Sequence, residues 1–413
     1  MIEKIKEKIK TEKIGVVCLI YLILLLFSGY YFFENSIMIA ILLIGTIVLV
    51  LAIKHGIRKK NLELGFLLSF IIILVELLTS LEYGNVNFFL TIIRVIIVII
   101  SCSLSSYYSV TTFKKSYVNC MIILSIGSLF LLFLYIIIPS IVEMFPTLIN
   151  SKGKIGFFGV FSILSDFSMT GIQRNQGIFW EPGAYQFFLS LAYIYELAKF
   201  NNKPRKWVLF LFLITIVTTY STTGFVVGII LLVYTLSRLQ GRKRVIQFIL
   251  VVLVFSIALI YIIPRLTGFM QYTLVTKIEM VLNYHTGVND ASSSRIDSIV
   301  YPLKTLIDSP WGIGEAGYTF LGNKIGHMMF TCTPVNWIVK YGPLYGIIVL
   351  GGIWKFFKNE FKYRFDAFIL FFAFLISMSS EELSFNIIIL YMCFKGYELN
   401  SRKKVKRYEN SSN

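Results

Sequence analysis

The chain has 413 residues, of which 56% are hydrophobic and only 15% are charged, and its mean hydropathy is +0.75. A soluble domain of this length cannot bury so many apolar side chains, which excludes that class of protein. The net charge of +17 does not indicate a nucleic-acid partner. Most basic residues fall in short gaps between apolar runs and in the tails, as they do in a membrane protein.

The apolar runs predict about twelve transmembrane helices, since a run of about 20 residues crosses the bilayer core. In chain order they cover 14–33, 36–53, 62–80, 86–104, 117–139, 183–199, 207–220, 223–237, 245–263, 332–354, 365–378 and 384–399. Basic residues occupy alternate gaps, and the short gaps between those carry glutamates and no basic residue. This alternation predicts that both termini are cytoplasmic (N-in/C-in). The predicted fold is an all-α, polytopic integral membrane protein with a single membrane domain over residues 1–413.

Two external segments are longer than turns. Residues 140–182 form external loop 1, and residues 264–331 form external loop 2. Loops of this length are more often functional than simple connectors. Loop 2 is predicted to be partly helical, because Ser294 and Asp297 have the spacing of a capping box and apolar residues follow at helical intervals. Asp308-Ser309-Pro310 ends that helix.

The predicted spans 207–220 and 223–237 are unusually short, at about 14 residues each. At 1.5 Å per residue, each is shorter than the hydrocarbon core is thick. The turn between them, Ser221-Thr222-Thr223-Gly224, is therefore expected below the outer surface of the membrane. Irregular backbone is tolerated there only inside protein or beside a wet cavity. We predict an outward-facing cavity at this turn.

External loop 1 ends in a cluster of polar residues that includes Arg174 and Glu181. A guanidinium pairs well with phosphate and stays charged, so Arg174 is predicted to bind a phosphate group; the alternative is a loop arginine that reaches lipid headgroups. Glu181 precedes Pro182, which suits the first position of a helix. Its carboxylate either acts as a general base for a sugar hydroxyl, or orients Arg174, or only stabilises the helix N-terminus.

Arg295 is the corresponding candidate in external loop 2. It lies in the first turn of the helix that Ser294 is predicted to cap. Free N–H groups at a helix start, with an added guanidinium, form a suitable diphosphate site. A cation at a helix N-terminus is otherwise mildly unfavourable. Its presence there therefore favours a functional role.

Two ionisable residues, Glu76 and Arg94, lie inside the third and fourth predicted spans at similar depths. We expect a buried ion pair that joins the two helices, with Arg94 facing the cavity as the alternative. His327 in loop 2 is a weaker candidate for a base. The sequence has no metal-ligand spacing, so neither a metal nor another cofactor is expected.

Several segments together resemble the superfamily of O-antigen ligases and Wzy-type polysaccharide polymerases. They occur in the order of that family and cover roughly residues 170–350: Arg174-x-x-Gly177-Ile178-Phe179-x-Glu181-Pro182-Gly183, Ser221-Thr222-Thr223-Gly224, Ser294-Arg295 with Pro310-Trp311-Gly312-Ile313-Gly314, and Asn336-Trp337-Ile338 with Tyr341-Gly342. The first five spans contribute hydropathy only. Each motif alone has low specificity, and their order and predicted external location together carry the resemblance.

The resemblance implies a metal-independent glycosyltransferase in the bacterial cytoplasmic membrane that takes glycan from undecaprenyl diphosphate on the outer leaflet. A flippase and a chain-length regulator of the same pathway are implied partners. Arg174 and Arg295 would hold diphosphate, and Glu181 would orient or deprotonate. The candidate substrate-binding residues are Gly177, Thr222, Thr223, Asn336, Arg94 and His327.

One departure from the family pattern separates polymerase from ligase. Ligases carry a histidine just before the asparagine that corresponds to Asn336, whereas this chain has Pro334-Val335. The missing base favours a polymerase, although His327 is near enough in sequence to substitute. A ligase of the same superfamily is the first alternative. A flippase or transporter of lipid-linked oligosaccharide is the second, against which the chain shows no internal repeat.

Overall fold

A computed structural model describes most of the chain, with gaps. The described residues are 15–26, 41, 44–48, 50, 56–83, 88–138, 140, 147–149, 155–157, 174–198, 204–238, 297–324 and 330–409, with only the backbone for 147–149, 155–157, 297–298 and 400–409. Arg295, His327 and the predicted span 245–263 lie outside the described residues. Their predicted roles stay predictions.

The described elements are mainly helices. In chain order they are α1 (Gly15–Leu26), α2 (Lys59–Tyr83), α3 (Phe88–Tyr107), α4 (Val110–Ile137), β1 (Thr147–Ile149), β2 (Ile155–Phe157), α5 (Pro182–Leu197), α6 (Lys206–Thr218), α7 (Thr222–Arg238), α8 (Asp297–Asp308), α9 (Gly314–Lys324), α10 (Thr333–Glu360), α11 (Arg364–Met378) and α12 (Ile387–Glu409). Helical residues between 41 and 50 lie in the second predicted span.

Helix positions agree closely with the hydropathy pattern. The predicted spans 183–199, 207–220 and 223–237 correspond to α5, α6 and α7 within two residues at each end. Four described helices, α2, α3, α4 and α10, are long and apolar enough to cross a membrane. The helical membrane class is therefore confirmed. The count of twelve spans and their orientation stay predictions.

External loop 1 contains one short β-hairpin, which does not change the all-α class. Strand β1 pairs antiparallel with β2, and Leu148 lies opposite Gly156. Three-residue strands are too short to show the period-two polarity that identifies a strand in sequence. The sequence pattern therefore gave no sign of this hairpin.

Helix α5 lies in the middle of the bundle. All its residues from Pro182 to Glu196 are buried, and it packs against α4, α6, α7 and α11. Aromatic rings fill this contact: Phe188 stacks on Phe179 at 4.5 Å between ring centroids, and Phe187 meets Phe374 at 5.7 Å. A helix that is apolar on all sides and covered on all sides suits the interior of a membrane bundle. The segment that leads into α5 is therefore packed against the core of the bundle.

The bundle has two chemically different ends. At one end, which we call the basic end, Lys114 near the start of α4 contacts Glu360 at the end of α10 and the carbonyl of Ala198 after α5. At the other, which we call the site end, Glu381 between α11 and α12 lies against Gly183 at the start of α5. The predicted functional residues that the structure describes all lie at the site end.

Candidate functional site

Arg174 is held against the turn between α6 and α7. Its Nε donates to the carbonyl of Thr219 at 3.2 Å, and its Nη2 donates to the carbonyl of Tyr220 at 3.2 Å. These are carbonyls at the C-terminal end of α6, where a cation is favourable. Tyr220 has a positive φ of 47°, a conformation that an L-residue adopts only under tertiary constraint. Arg174, which was predicted to bind phosphate, therefore also holds the turn between α6 and α7, which was predicted to line the cavity.

The threonines of that turn begin α7. Thr222 is half-buried and Thr223 is buried. The hydroxyl of Ser221 accepts a hydrogen bond from the backbone N–H of Gly224 at 3.3 Å, which satisfies one of the free donors of the helix start. The sequence motif around Thr222 and Thr223 thus forms the cap of α7 beside Arg174. Their predicted contact with substrate stays a prediction.

Gly177 shapes the loop that carries Arg174. Its backbone N–H donates to Oδ1 of Asn175 at 3.1 Å, and its φ of 52° lies in the left-handed region. A Cβ at this position would come within 2.9 Å of the Tyr185 ring. Both facts require glycine here. The structure therefore gives Gly177 a conformational role, in addition to the predicted role in binding.

Glu181 occupies the N-cap position of α5 and Pro182 follows at N1, as predicted. The Glu181 side chain does not cap the helix; it accepts a hydrogen bond from the indole of Trp180 at 3.1 Å. The carboxylate of Glu381 also lies at this helix start. Its Oε1 is so close to Gly183 that a Cβ at this position would collide with it. A negative charge is favourable at a helix N-terminus. Glycine at 183 is what allows Glu381 to reach it.

A second group of charges includes Glu382, the residue after Glu381. We call it the charge cluster; its members are Glu76 of α2, Arg94 of α3, Glu315 of α9, Lys340 of α10 and Glu382 of the α11–α12 loop. Arg94 Nη1 lies 3.0 Å from Glu76 Oε1, and Arg94 Nη2 lies 2.7 Å from Glu315 Oε2. Lys340 Nζ lies 3.2 Å from Glu315 Oε2 and 3.8 Å from Glu382 Oε1. The predicted ion pair of Glu76 with Arg94 is confirmed.

Among the described residues, the positive and negative charges of the cluster do not balance. Its three carboxylates and two cations give a net charge of −1 when all are ionised. Arg94 and Lys340 are buried, and each also faces aromatic rings: Lys340 Nζ lies 4.0 Å from the centre of the Tyr318 ring, and the Arg94 guanidinium lies 5.4 Å from that of Phe385. Aromatic faces stabilise desolvated cations. They do nothing for the surplus carboxylate.

Asn336, in the first turn of α10, connects the charge cluster to the segment that precedes this helix. Its Nδ2 donates to the Glu382 carboxylate and to the carbonyl of Phe330, the latter at 2.9 Å. Its Oδ1 accepts from the hydroxyl of Tyr318 at 2.6 Å. Burial raises the pKa of Tyr318, so this hydroxyl stays protonated as a donor. Asn336, predicted to bind substrate, is thus held rigidly with its amide on Glu382.

The position of Lys340 depends on a break in α10, which was predicted as one continuous span. Gly342 has a φ of 84° and interrupts the helical geometry. Pro343 has no N–H to give to the carbonyl of Val339 four residues earlier. The backbone N–H of Ile313 donates to that carbonyl instead, at 2.9 Å. The freed acceptor is therefore satisfied by a different segment of the chain.

The two glycine motifs of the predicted family meet at this break. Gly312 has a φ of 101°. A Cβ on Gly312 would lie 2.6 Å from the backbone N of Gly342 and 2.7 Å from the carbonyl O of Lys340. Such separations are too short for any side chain. The Trp311-Gly312-Ile313-Gly314 segment and the Tyr341-Gly342 segment are thus packed backbone to backbone, which places Glu315 beside Lys340.

The environment separates the two less buried carboxyls of the cluster. Burial raises the pKa of Glu382 above its ordinary value, and attraction to Lys340 only partly opposes this. Burial also disfavours ionisation of Glu315, but attraction and hydrogen bonds to Lys340 and Arg94 outweigh it, so the pKa of Glu315 is lowered. Carboxyls whose pKa values are driven apart are suited to different roles in acid–base chemistry.

Three residues of this site were not predicted as functional: Glu315, Lys340 and Glu382. Lys340 carried a usable signal, because an ionisable residue inside an apolar span is unusual. Glu315 and Glu382 gave no local signal, since only chain folding brings them to Lys340. Within the ranges that the structure describes, no group of three or more histidine, cysteine, aspartate or glutamate side chains is arranged to hold a metal ion.

Comparisons of this chain with models of protein families, with curated proteins and with solved structures find no match. The resemblance to O-antigen ligases and Wzy-type polymerases is therefore carried by the motifs and their arrangement.

Proposed function

We propose that the protein is a membrane-embedded polysaccharide polymerase. It transfers glycan chains from undecaprenyl diphosphate onto lipid-linked repeat units at the outer face of the bacterial cytoplasmic membrane. The observation that supports this most strongly is the meeting of distant motif residues at the site end. Arg174, the 221–224 turn and Glu181 form one side, Asn336 and the Gly312–Gly342 contact form the other, and the α11–α12 loop joins them.

The proposed chemistry is electrostatic. As the bond between sugar and diphosphate breaks, negative charge grows on the leaving diphosphate, and fixed cations lower the energy of that state. Arg174 is held in place by two backbone carbonyls, so little reorganisation is needed. Arg295 is proposed as the second cation. Glu181, at the end of the loop that carries Arg174, orients this region or accepts a proton.

The geometry of α10 fits a site at the membrane edge. Below the break at Gly342, the segment Pro343–Glu360 is about 27 Å long at 1.5 Å per residue. That length is close to the ~30 Å of bilayer hydrocarbon. The charge cluster then lies near one surface, and the basic end lies near the other. The positive-inside rule favours a cytoplasmic location for the basic end and therefore an external location for the site end.

The test is elongation of purified lipid-linked repeats by purified protein in detergent, with products resolved by length. Arg174→Ala is expected to reduce long products at least 100-fold, in line with the loss of one group that stabilises developing charge. Arg174→Lys keeps a charge without the planar fork and should retain intermediate activity. Arg205→Ala, at the basic end, is the matched control. Wild-type chain lengths in a folded Arg174→Ala protein would remove this residue from the mechanism.

A second candidate function has its own support. Transporters place broken helices and buried charges at their substrate sites, and α10 is broken beside the charge cluster. A flippase of lipid-linked oligosaccharide would use the same features to move substrate across the membrane. Elongation in detergent, where no bilayer exists, would favour the polymerase. Flipping in vesicles without elongation would favour the transporter.

A further inference from the structure

The carboxylates of the charge cluster are not equivalent in their contacts. Glu76 accepts from Arg94 at 3.0 Å and from the backbone N–H of Glu315 at 3.2 Å. Glu315 lies within 3.2 Å of both Arg94 and Lys340. Both carboxylates are paired with cations at 3.2 Å or less. Among the described residues, Glu382 has one ion pair, with Lys340, at the longer distance of 3.8 Å.

Glu382 is also held and reachable. The amide of Asn336 fixes one of its oxygens, and the loop around it is tied to α10 because the Thr333 hydroxyl donates to the carbonyl of Glu381 at 2.5 Å and accepts from the backbone N–H of Leu383 at 2.7 Å. The Glu382 side chain is 26% exposed, compared with 4% for Glu76. A side chain that is both oriented and partly open can meet a substrate.

The loop connects Glu382 to the proposed diphosphate site. Its neighbour Glu381 lies against Gly183, two residues after Glu181 in the junction that Arg174 begins. The consecutive residues Glu381 and Glu382 therefore contact the two halves of the site end. Glu381 stabilises the start of α5, and Glu382 faces the charge cluster.

We propose that Glu382 is the general base that accepts the proton of the acceptor hydroxyl. This inference rests on the proposed polymerase function and replaces Glu181 or a histidine in that role. The acceptor oxygen forms a bond to the anomeric carbon while its proton passes to a Glu382 oxygen. The bond between the anomeric carbon and the diphosphate oxygen breaks, and its electron pair leaves with the diphosphate. Lys340 holds the carboxylate in place through the ion pair at 3.8 Å.

The acid limb of the pH–rate profile, which is the fall in elongation rate at low pH, reports this role. Glu382 must be ionised to accept a proton, so the elongation rate should fall as the pH falls through its raised pKa. The groups that face it are Lys340 and Asn336 of α10, Cys332 just before that helix, and Glu315 and Tyr318 of α9, with Arg94 and Glu76 behind them. Glu315 has a lowered pKa, so its titration lies at lower pH than that of Glu382.

The experiment compares the full-length wild type with Glu382→Gln and Glu382→Asp, using elongation of purified lipid-linked repeats in detergent at a series of pH values. We expect Glu382→Gln to lower kcat by about 100-fold or more, to leave KM for the lipid-linked repeat within about threefold, and to abolish the acid limb. Glu382→Asp should restore part of the rate, with the acid limb moved. Glu360→Gln is the matched control: it removes a buried, paired carboxylate at the basic end and should keep the acid limb.

Each outcome decides the inference. A folded Glu382→Gln protein with wild-type kcat and acid limb would overturn it. If Glu382→Gln does not fold, Glu382→Asp decides, because an unchanged rate and profile there would equally overturn it. Failure of the wild type to elongate at any pH is a separate result, which would reject the proposed polymerase instead.

Discussion

The two ends of the bundle both contain buried ion pairs, but they use them differently. At the basic end, Glu196 directs both oxygens at Arg205: Oε1 accepts from its backbone N–H and Nε at 2.8 and 3.1 Å, and Oε2 accepts from Nη2 at 2.9 Å. Lys114 and Glu360 form a second ion pair there. At the site end, the described residues share two cations among three carboxylates. Matched pairs tie helices together, whereas a surplus carboxylate in a rigid frame is available for chemistry.

The largest expected effect comes from removing a cation from the site end. Lys340→Ala removes the cation that Glu315 and Glu382 share, and breaking a buried ion pair costs about 3–5 kcal/mol. We expect a lower midpoint of thermal unfolding in detergent. The acid limb of elongation should also move to higher pH, because Lys340 lowers the pKa of Glu382. Lys340→Arg should show little of either effect, and an unchanged midpoint in Lys340→Ala would mean that the cluster is not coupled as described.

A smaller loss is expected from crowding the backbone contact that positions Lys340. Gly312→Ala would place a Cβ 2.6 Å from the backbone N of Gly342 and force an alanine to a φ of 101°, at a cost of about 2–3 kcal/mol. Gly351→Ala is the matched control in α10, since its Cβ would have no neighbour closer than 3.4 Å. Alanine there should be neutral or stabilising by up to about 1 kcal/mol. Equal unfolding midpoints for the two variants would contradict the described contact.

The basic end should respond in stability alone. Glu196→Gln loses charge-assisted hydrogen bonds to Arg205, which is about one-third exposed, so we expect a cost of about 1–2 kcal/mol after solvent screening. The measurements are thermal unfolding and elongation of lipid-linked repeats on the same preparation. Chain length and pH profile should match the wild type. A changed pH profile would show that the two ends are not functionally separate.

The smallest effect is a pH-dependent difference in stability between the wild type and Glu382→Gln. The folded-state pKa of Glu382 is raised above its ordinary value of 4.5, so its contribution to stability is complete below that value. It is lost as the pH rises through the folded-state pKa. The free energy of unfolding, followed upward from pH 4.5, should therefore fall in the wild type relative to Glu382→Gln. A constant difference across that range would mean that the ionised carboxylate carries no folding penalty.

The sequence by itself located the described helices of the predicted spans, because hydrophobic runs and their polar ends are local properties; it did not predict α9. It also placed Pro182 at the start of α5 and paired Glu76 with Arg94, since two opposite charges at equal depth in adjacent apolar spans have few other partners. The broken α10 was harder to predict. Gly342-Pro343 is a visible signal in the sequence, but a proline within an apolar span is tolerated often enough that it does not identify a break.

Only the tertiary structure brought Glu315, Lys340 and Glu382 together, because these residues lie on separate segments and no periodicity links them. It also showed why particular glycines are needed: Gly312 touches the backbone of α10, and Gly183 admits the Glu381 carboxylate. Local sequence determines where helices form, since their hydrogen bonds are made within four residues. Which charges share a buried site depends on how those helices pack, and that is decided by contacts between residues far apart in the chain.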